Sequence, residues 1–239
     1  VPKYEIYVDG GIVEQHSAGA GAAVLYIDGQ LHSAAIVTAP QLSNNQAELL
    51  GAIIAFERIV PYYMARRCSD CGVLGFKGVC TNDVICNIGE DKVKACPWPE
   101  FTIWSDSQYV VKGLTQWVST WQAKGWKTAD GKPVLNQPYW EGLLARSKIG
   151  NWTMKHTPGH AGKMGNEMAD ALCALGKALQ AEHLNAGNAS WGVYDLDAAT
   201  VVDLIHGVPH KKAFALVKDY FVLTSWHRVR TNRKLWSLG

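Results

Sequence analysis

Apolar and polar residues alternate from Tyr4 to Asp9, with Tyr4, Ile6 and Val8 on one side, which is the period of a half-buried strand. This strand is expected to end on Asp9, because Gly10 and Gly11 follow at once. After a loop, the glycine- and alanine-rich run GAGAAVLYID reads as a second strand, and Asp28-Gly29 is a hairpin signal returning the chain into LHSAAIVTA. An antiparallel meander closed by Pro40 is predicted. In LSNNQAELLGAIIAFERIV the period becomes helical: Leu49, Ala52, Ile53 and Phe56 share a face, and Ser43 or Asn44 can cap the start. Glu48 falls in the first turns, on the side that can face the sheet.

Farther on, Phe101 and Ile103, with Thr102 and Trp104 beside them, suit a buried strand, and Asp106 and Ser107 can cap a helix beginning near Gln108. Val110, Val111, Leu114, Trp117, Val118 and Trp121 then recur at helical spacing. Tyr139 to Ile149 reads as a helix with Trp140, Leu143 and Leu144 inward, and NWTMKH as the final strand. A glycine-containing loop then leads into a helix that begins near Asn166 and carries Asp170. The predicted order is β-β-β-α-β-α-β-α. Two stretches fall outside it. Residues 62–97 look like an insertion, since loops of that length are usually functional or separately stabilised, and residues 181–239 form an extension to a unit spanning 1–180.

Composition adds a core and an uneven charge. At 239 residues the chain is long enough for one large domain with an appendage. No run is long and apolar enough to span a membrane, and the N-terminal VPKYEIYVDGG is a charged strand candidate, not a signal peptide, so a cytoplasmic protein is expected. The first residue is Val1, as in a trimmed chain or a piece of a longer polypeptide. The net charge of +2 conceals clusters: Lys112, Lys124, Lys127 and Lys132 face little local opposition beyond Asp130, and the end of the chain is basic through Lys211, Lys212, Lys218, Arg228, Arg230, Arg233 and Lys234. The remainder is net acidic. A protein that meets phosphate on one face and holds carboxylates elsewhere has this footprint, although solvated surface charge accounts for it almost as well.

Asp9, Glu48, Asp106 and Asp170 stand beside glycine-rich turns, at strand ends or on helices that this order can bring together. Any one of them alone is accounted for by a helix cap or a solvated side chain. Gathered in one place they repel each other strongly unless cations compensate, and hard carboxylate oxygens suit Mg²⁺ or Mn²⁺.

The segments YVDGG, NNQAELLGAI, WSDSQYVVKGL and GHAGKMGNEMADALC, in that order, resemble type 1 ribonuclease H from Lys3 to about Gln180, apart from residues 62–97. The stretch TQWVSTWQAKGWKTADGKPVLN is similar to the basic protrusion, or handle, of the bacterial enzymes and covers residues 114–136. The resemblance implies an α/β ribonuclease H-like fold, a five-stranded mixed sheet flanked by helices. It implies an endoribonuclease that cuts the RNA strand of RNA/DNA hybrids, leaving 5′-phosphate and 3′-hydroxyl ends. Asp9, Glu48, Asp106 and Asp170 would bind two divalent ions, and His160 would assist proton transfer or product release. Asn44 and Asn45, with Gln46 nearby, would read 2′-hydroxyls. Ser43 and Asn136 would hold a DNA-strand phosphate, Trp117 would line the DNA channel, and Lys124, Lys127 and Lys132 would add nonspecific phosphate contact. Trp121 and Trp126 are expected to pack the handle. Residues 12–17 depart from the family pattern, which leaves the first RNA contacts unassigned; His16 there reads as a solvated loop histidine.

The insertion carries Cys68, Cys71, Cys80, Cys86 and Cys96. Cys68-x-x-Cys71 has knuckle spacing, which two of the other three could complete as a structural zinc site; disulfides and free thiols are the alternatives. In the extension, Asp195-Leu-Asp197 can cap a helix through Ile205, and a basic helix is predicted after His210; docking on the catalytic domain, nucleic-acid binding and a protein partner all remain open for it. The expected protein is a monomer acting on RNA/DNA hybrid. A ribonuclease H module of a reverse transcriptase or polyprotein, and a non-catalytic hybrid-binding protein, are the competing readings.

Overall fold

A computed structural model describes residues 2–13, 18–64, 66–67, 74–75, 99–159 and 162–207. The five cysteines of the insertion, His16, His160 and the basic helix expected after His210 lie outside the described residues. The elements are β1 (Tyr4–Val13), β2 (Ala18–Ile27), β3 (Gln30–Ala39), α1 (Asn44–Ile54), α2 (Val60–Met64), a short antiparallel pair β4 (Arg66–Arg67) and β5 (Leu74–Gly75), β6 (Glu100–Ser105), α3 (Gln108–Lys112), α4 (Val118–Ala123), α5 (Gln137–Ser147), β7 (Asn151–His156), α6 (Met164–Asn185), β8 (Gly192–Asp197) and α7 (Ala198–Val202). No described helix is long and apolar enough to cross a membrane.

The main sheet has the order β7-β6-β1-β2-β3-β8, with β1 parallel to β6, β6 parallel to β7, and the other neighbours antiparallel. Asp28 and Gly29 both take positive φ, +51° and +78°, as a tight turn between β2 and β3 requires. Alternation in the strands divides the core into two layers. Ile6, Val8, Phe101 and Ile103 face Leu49, Leu50, Ile53 and Phe56 from the α1 side, while Ala20, Ala22, Val24 and Ile36 face Met168, Leu172, Leu175 and Leu179 of α6. The small residues of AGAGAAVLYI are buried on both faces of β2, so helices on either side can approach its backbone closely.

Besides the π turn that follows α7 at Asp203–Gly207, two described helical stretches contain an internal one. Val60 N–H bonds to Ala55 O between α1 and α2, and Val118 N–H bonds to Gly113 O between α3 and α4. Each inserts one extra residue and re-aims the apolar stripe beyond it.

Structure and expectation differ in two places. First, β1 does not stop at Asp9. It pairs with β2 through Val13, because Gly10 opposite Gly21 and Gly11 opposite Ala20 continue the ladder. Second, the sheet has six strands, not five. The sixth, β8, pairs with β3 from Ser33↔Asp197 to Thr38↔Gly192 and buries Tyr194 and Leu196, covering the edge that β3 would otherwise expose. Arg58 binds Asp195 through Nε at 2.9 Å and through its Nη2 as well, tying the strand to the helix side of the sheet. Asp197 then caps α7, accepting from Thr200 N at 2.8 Å, as the Asp-Leu-Asp pattern anticipates.

Candidate active site

The parallel ladder between β1 and β6 ends at Val8↔Ser105, so Asp9 and Asp106 are the residues that follow the last pair on adjacent strands. Chain direction alone thus sets two carboxylates side by side. Asp106 is fixed by its neighbours: Ser105 Oγ accepts from Ser107 N at 3.1 Å, and Ser107 caps α3, accepting from Val110 N at 3.4 Å. The ring of His156 bonds to the Asp106 carbonyl at 3.2 Å, and Asn166 donates through Nδ2 to Asp106 Oδ2 at 3.5 Å.

Glu48 comes from the opposite layer, and glycines decide how near it can come. A Cβ on Gly10 would lie 2.2 Å from the Ala47 carbonyl and 2.3 Å from Glu48 N, and one on Gly51 would lie 2.3 Å from Asp9 O. Helix α1 therefore crosses β1 backbone to backbone at the level of Asp9. Its start is held by a capping box, with Gln46 N donating to Ser43 Oγ at 3.4 Å and Ser43 N donating to Gln46 Oε1 at 2.8 Å. Gly10→Ala is expected to force α1 off the strand, destabilise the protein by about 1–3 kcal/mol as overpacking does, and weaken divalent-ion binding, because Glu48 moves with the helix. Thermal unfolding and metal titration check it; a variant matching the parent in both would show that the crossing does not set the site.

One carboxylate oxygen from each of Asp9, Glu48 and Asp106 lies within 4.8 Å of the others. Asp9 is buried, and Glu48 Oε2 is buried without a hydrogen-bond partner among the described residues. Burial and then the Asp106 carboxylate push Asp9 up to about 6; Asp170 adds to this, while the Gly10 N–H and Lys177 oppose it. Burial, then Asp9 and Asp106, push Glu48 up to about 8, against Lys177. Three converging carboxylates, one of them carrying a buried oxygen without a partner among the described residues, form in mutual repulsion an all-oxygen donor set that fits a hard divalent cation. Asp170, on α6, is near enough to act on Asp9 but stands outside the tight trio.

The expected substrate contacts spread from this point. Asn44 and Asn45 are exposed at the start of α1, one turn from Glu48, whereas Ser43 and Gln46 are bonded to each other. Asn136 sits in the left-handed region at φ +60° and donates to Tyr109 Oη at 3.3 Å, and Trp140 Nε1 donates to the same oxygen at 3.0 Å. Trp117, half-buried, packs on Trp121 with ring centres 5.7 Å apart, and Trp121 packs on the buried Trp140. Lys124, Lys127 and Lys132 are exposed on a loop closed by Trp126 N to Trp121 O at 2.7 Å and Val134 N to Trp126 O at 2.9 Å.

The sequence reading missed two residues. Asn166 and Lys177 lie four residues before and seven after Asp170, on one face of α6, a spacing that would have found them once Asp170 was suspected.

The RNase H family model matches residues 91–178. A protein of Cyanothece sp. named Ribonuclease H is 33% identical over 170 residues, 70% of this chain and 85% of that protein. Another so named, from Cupriavidus metallidurans, is 49% identical over 76 residues, 32% of this chain and about half (52%) of its own length. Among solved structures, LC9-RNase H1, described as a type 1 RNase H with the type 2 active-site motif, superposes with a TM-score of 0.56 at 18% identity, covering 90% of this chain and 85% of the other. At that identity the likeness concerns the fold, and it agrees with the α/β layering and mixed sheet. Similarity across most of a relative's length, together with acidic residues converging at the end of the β1–β6 ladder, means that this chain belongs to the ribonuclease H family.

Proposed function

We propose that this protein is an endoribonuclease that hydrolyses the RNA strand of RNA/DNA hybrids, leaving 5′-phosphate and 3′-hydroxyl ends. The observation that carries the reading is the trio Asp9, Glu48 and Asp106, with a buried Glu48 oxygen that has no partner among the described residues, beside the exposed Asn44 and Asn45. Two Mg²⁺ ions, or Mn²⁺, held by these three residues and Asp170, would supply Lewis-acid activation of water and stabilise charge on the leaving oxygen. The protein's own residues do the selecting. Side-chain amides of Asn44 and Asn45 both donate and accept, which suits the 2′-hydroxyls that separate RNA from DNA. Ser43 Oγ accepts from Gln46 N and keeps its hydroxyl proton for a phosphate; with Asn136 it would hold the DNA strand. Trp117 offers an apolar wall to that strand, and Lys124, Lys127 and Lys132 neutralise backbone charge without reading bases. His160 would assist proton transfer or product release.

In this reading residues 1–180 form the catalytic unit, residues 62–97 an insertion within it, residues 114–136 its basic handle and residues 181–239 an extension, which completes α6 and lends β8 to the unit's sheet. Matched hybrid, duplex DNA, duplex RNA and single-stranded RNA, incubated with Mg²⁺, test the assignment. Cutting confined to the RNA of the hybrid, with 5′-phosphate ends, is expected. Equal cutting of duplex RNA, or binding of hybrid with no cutting in either Mg²⁺ or Mn²⁺, would overturn it in favour of a different nuclease or a non-catalytic binder.

A further inference from the structure

Lys177 lies two turns beyond Asp170 on α6, so both side chains leave the same face of the helix. Asp9 and Gly11 are alternate residues of β1 and point to one face of the sheet. A Cβ on Gly11 would stand 3.2 Å from Lys177 Nζ and 3.6 Å from its Cδ, so the glycine leaves the room that the lysine occupies, one pleat from Asp9. Asp9 and Glu48 both feel the ammonium as a stabilising charge. Yet among the described residues Lys177 forms no ion pair within 4.0 Å, so the charge is not consumed by one partner. Nothing in the proposed hydrolysis uses it.

We propose that Lys177 is a resident cation of the carboxylate cluster, a positioning residue that supplies part of its compensating charge and thereby lowers its affinity for divalent ions until substrate arrives. The inference rests on the metal-binding reading above. A fixed positive charge on the wall of an acidic cluster offsets carboxylate repulsion in the metal-free protein and repels each incoming dication. The phosphate of a bound hybrid restores the negative charge that the lysine cancels, so full loading of the centre follows substrate binding. Gly11 is part of the same device, since a side chain there would meet the ammonium.

The test is calorimetric titration of Mn²⁺ into the full, chelator-stripped chain, with no activity readout. Lys177→Met and Lys177→Gln are expected to tighten Mn²⁺ binding about tenfold, whereas Lys177→Arg, which keeps the charge, stays within about twofold of the parent, as expected for one unit charge acting through partly solvated surroundings. Thermal unfolding in chelator identifies any variant that fails to fold, and two neutral side chains of different shape separate charge from packing. A parent that binds no Mn²⁺ would overturn the metal reading and this inference together. A parent that binds Mn²⁺, with neutral variants that bind it no more tightly, would overturn the role of Lys177 alone.

Discussion

Asp106→Asn is expected to lower the turnover of RNA/DNA hybrid about a thousandfold or more while leaving hybrid affinity within a few-fold of the parent. The substitution keeps the shape of the side chain and its contact with Asn166, but removes one of three converging carboxylate charges. Each factor of ten in rate is about 1.4 kcal/mol, and loss of a charged ligand to a catalytic cation removes several kcal/mol of transition-state stabilisation. Binding is expected to survive because the proposed contacts to the nucleic acid, Asn44, Asn45, Asn136 and the handle lysines, lie on other elements. Stability is also expected to hold or rise, since the Asp106 charge disfavours ionised Asp9 and Glu48. Single-turnover cleavage and hybrid titration measure the two quantities separately. Near-parent turnover at saturating Mg²⁺ would remove Asp106 from the chemistry.

The metal-free protein is expected to lose stability steadily from about pH 4 to pH 8, and divalent ions to reverse the loss. In the unfolded chain Asp9 and Glu48 titrate near 3.8 and 4.5, while in the folded protein they are raised to about 6 and about 8. A carboxyl group whose folded value is raised favours the folded state fully below its unfolded value, and that contribution is lost as pH rises through the folded value. At about 1.4 kcal/mol per pKa unit, Glu48 alone accounts for roughly 4–5 kcal/mol between those limits. For a domain of this size that corresponds to a fall in Tm on the order of ten degrees. Bound Mg²⁺ or Mn²⁺ favours the ionised carboxylates, so its stabilising effect should grow with pH. Thermal unfolding from pH 5 to 9, in chelator and in Mn²⁺, gives the comparison. Glu48→Gln should flatten the slope in chelator; a slope as steep as the parent's would show that Glu48 is not its source.

Much of the fold was legible because β1, α1, β6 and α5 each carry a periodicity that burial then follows. Of the two cap candidates at each helix start, Ser43 rather than Asn44 caps α1 and Ser107 rather than Asp106 caps α3, each hydroxyl accepting from a backbone N–H of the first turn. The strand β8 was missed for a related reason. Asp195 and Asp197 alternate with Leu196, which fits a strand, but an aspartate before a helical run is a cap signal too, and here Asp197 serves both. The end of β1 was misplaced because Gly10 and Gly11 ordinarily interrupt a strand; in this protein they are required where α1 and Lys177 approach it.

The sequence by itself determined the α/β order through α6, where α1 and α3 begin, and the family likeness through short motifs, because these depend on residues near one another in the chain. It also contained every carboxylate of the site. What it could not determine is that three of them meet within 4.8 Å and Asp170 stands outside that trio, that a Glu48 oxygen has no partner among the described residues, or that Lys177 lies against Gly11. Those facts come from where the parallel ladder of β1 and β6 stops and from how closely helices in the two layers can cross a glycine-bearing strand. Charge separation and desolvation are set by such distances between elements remote in sequence, so the tertiary structure alone decided the electrostatics of the centre.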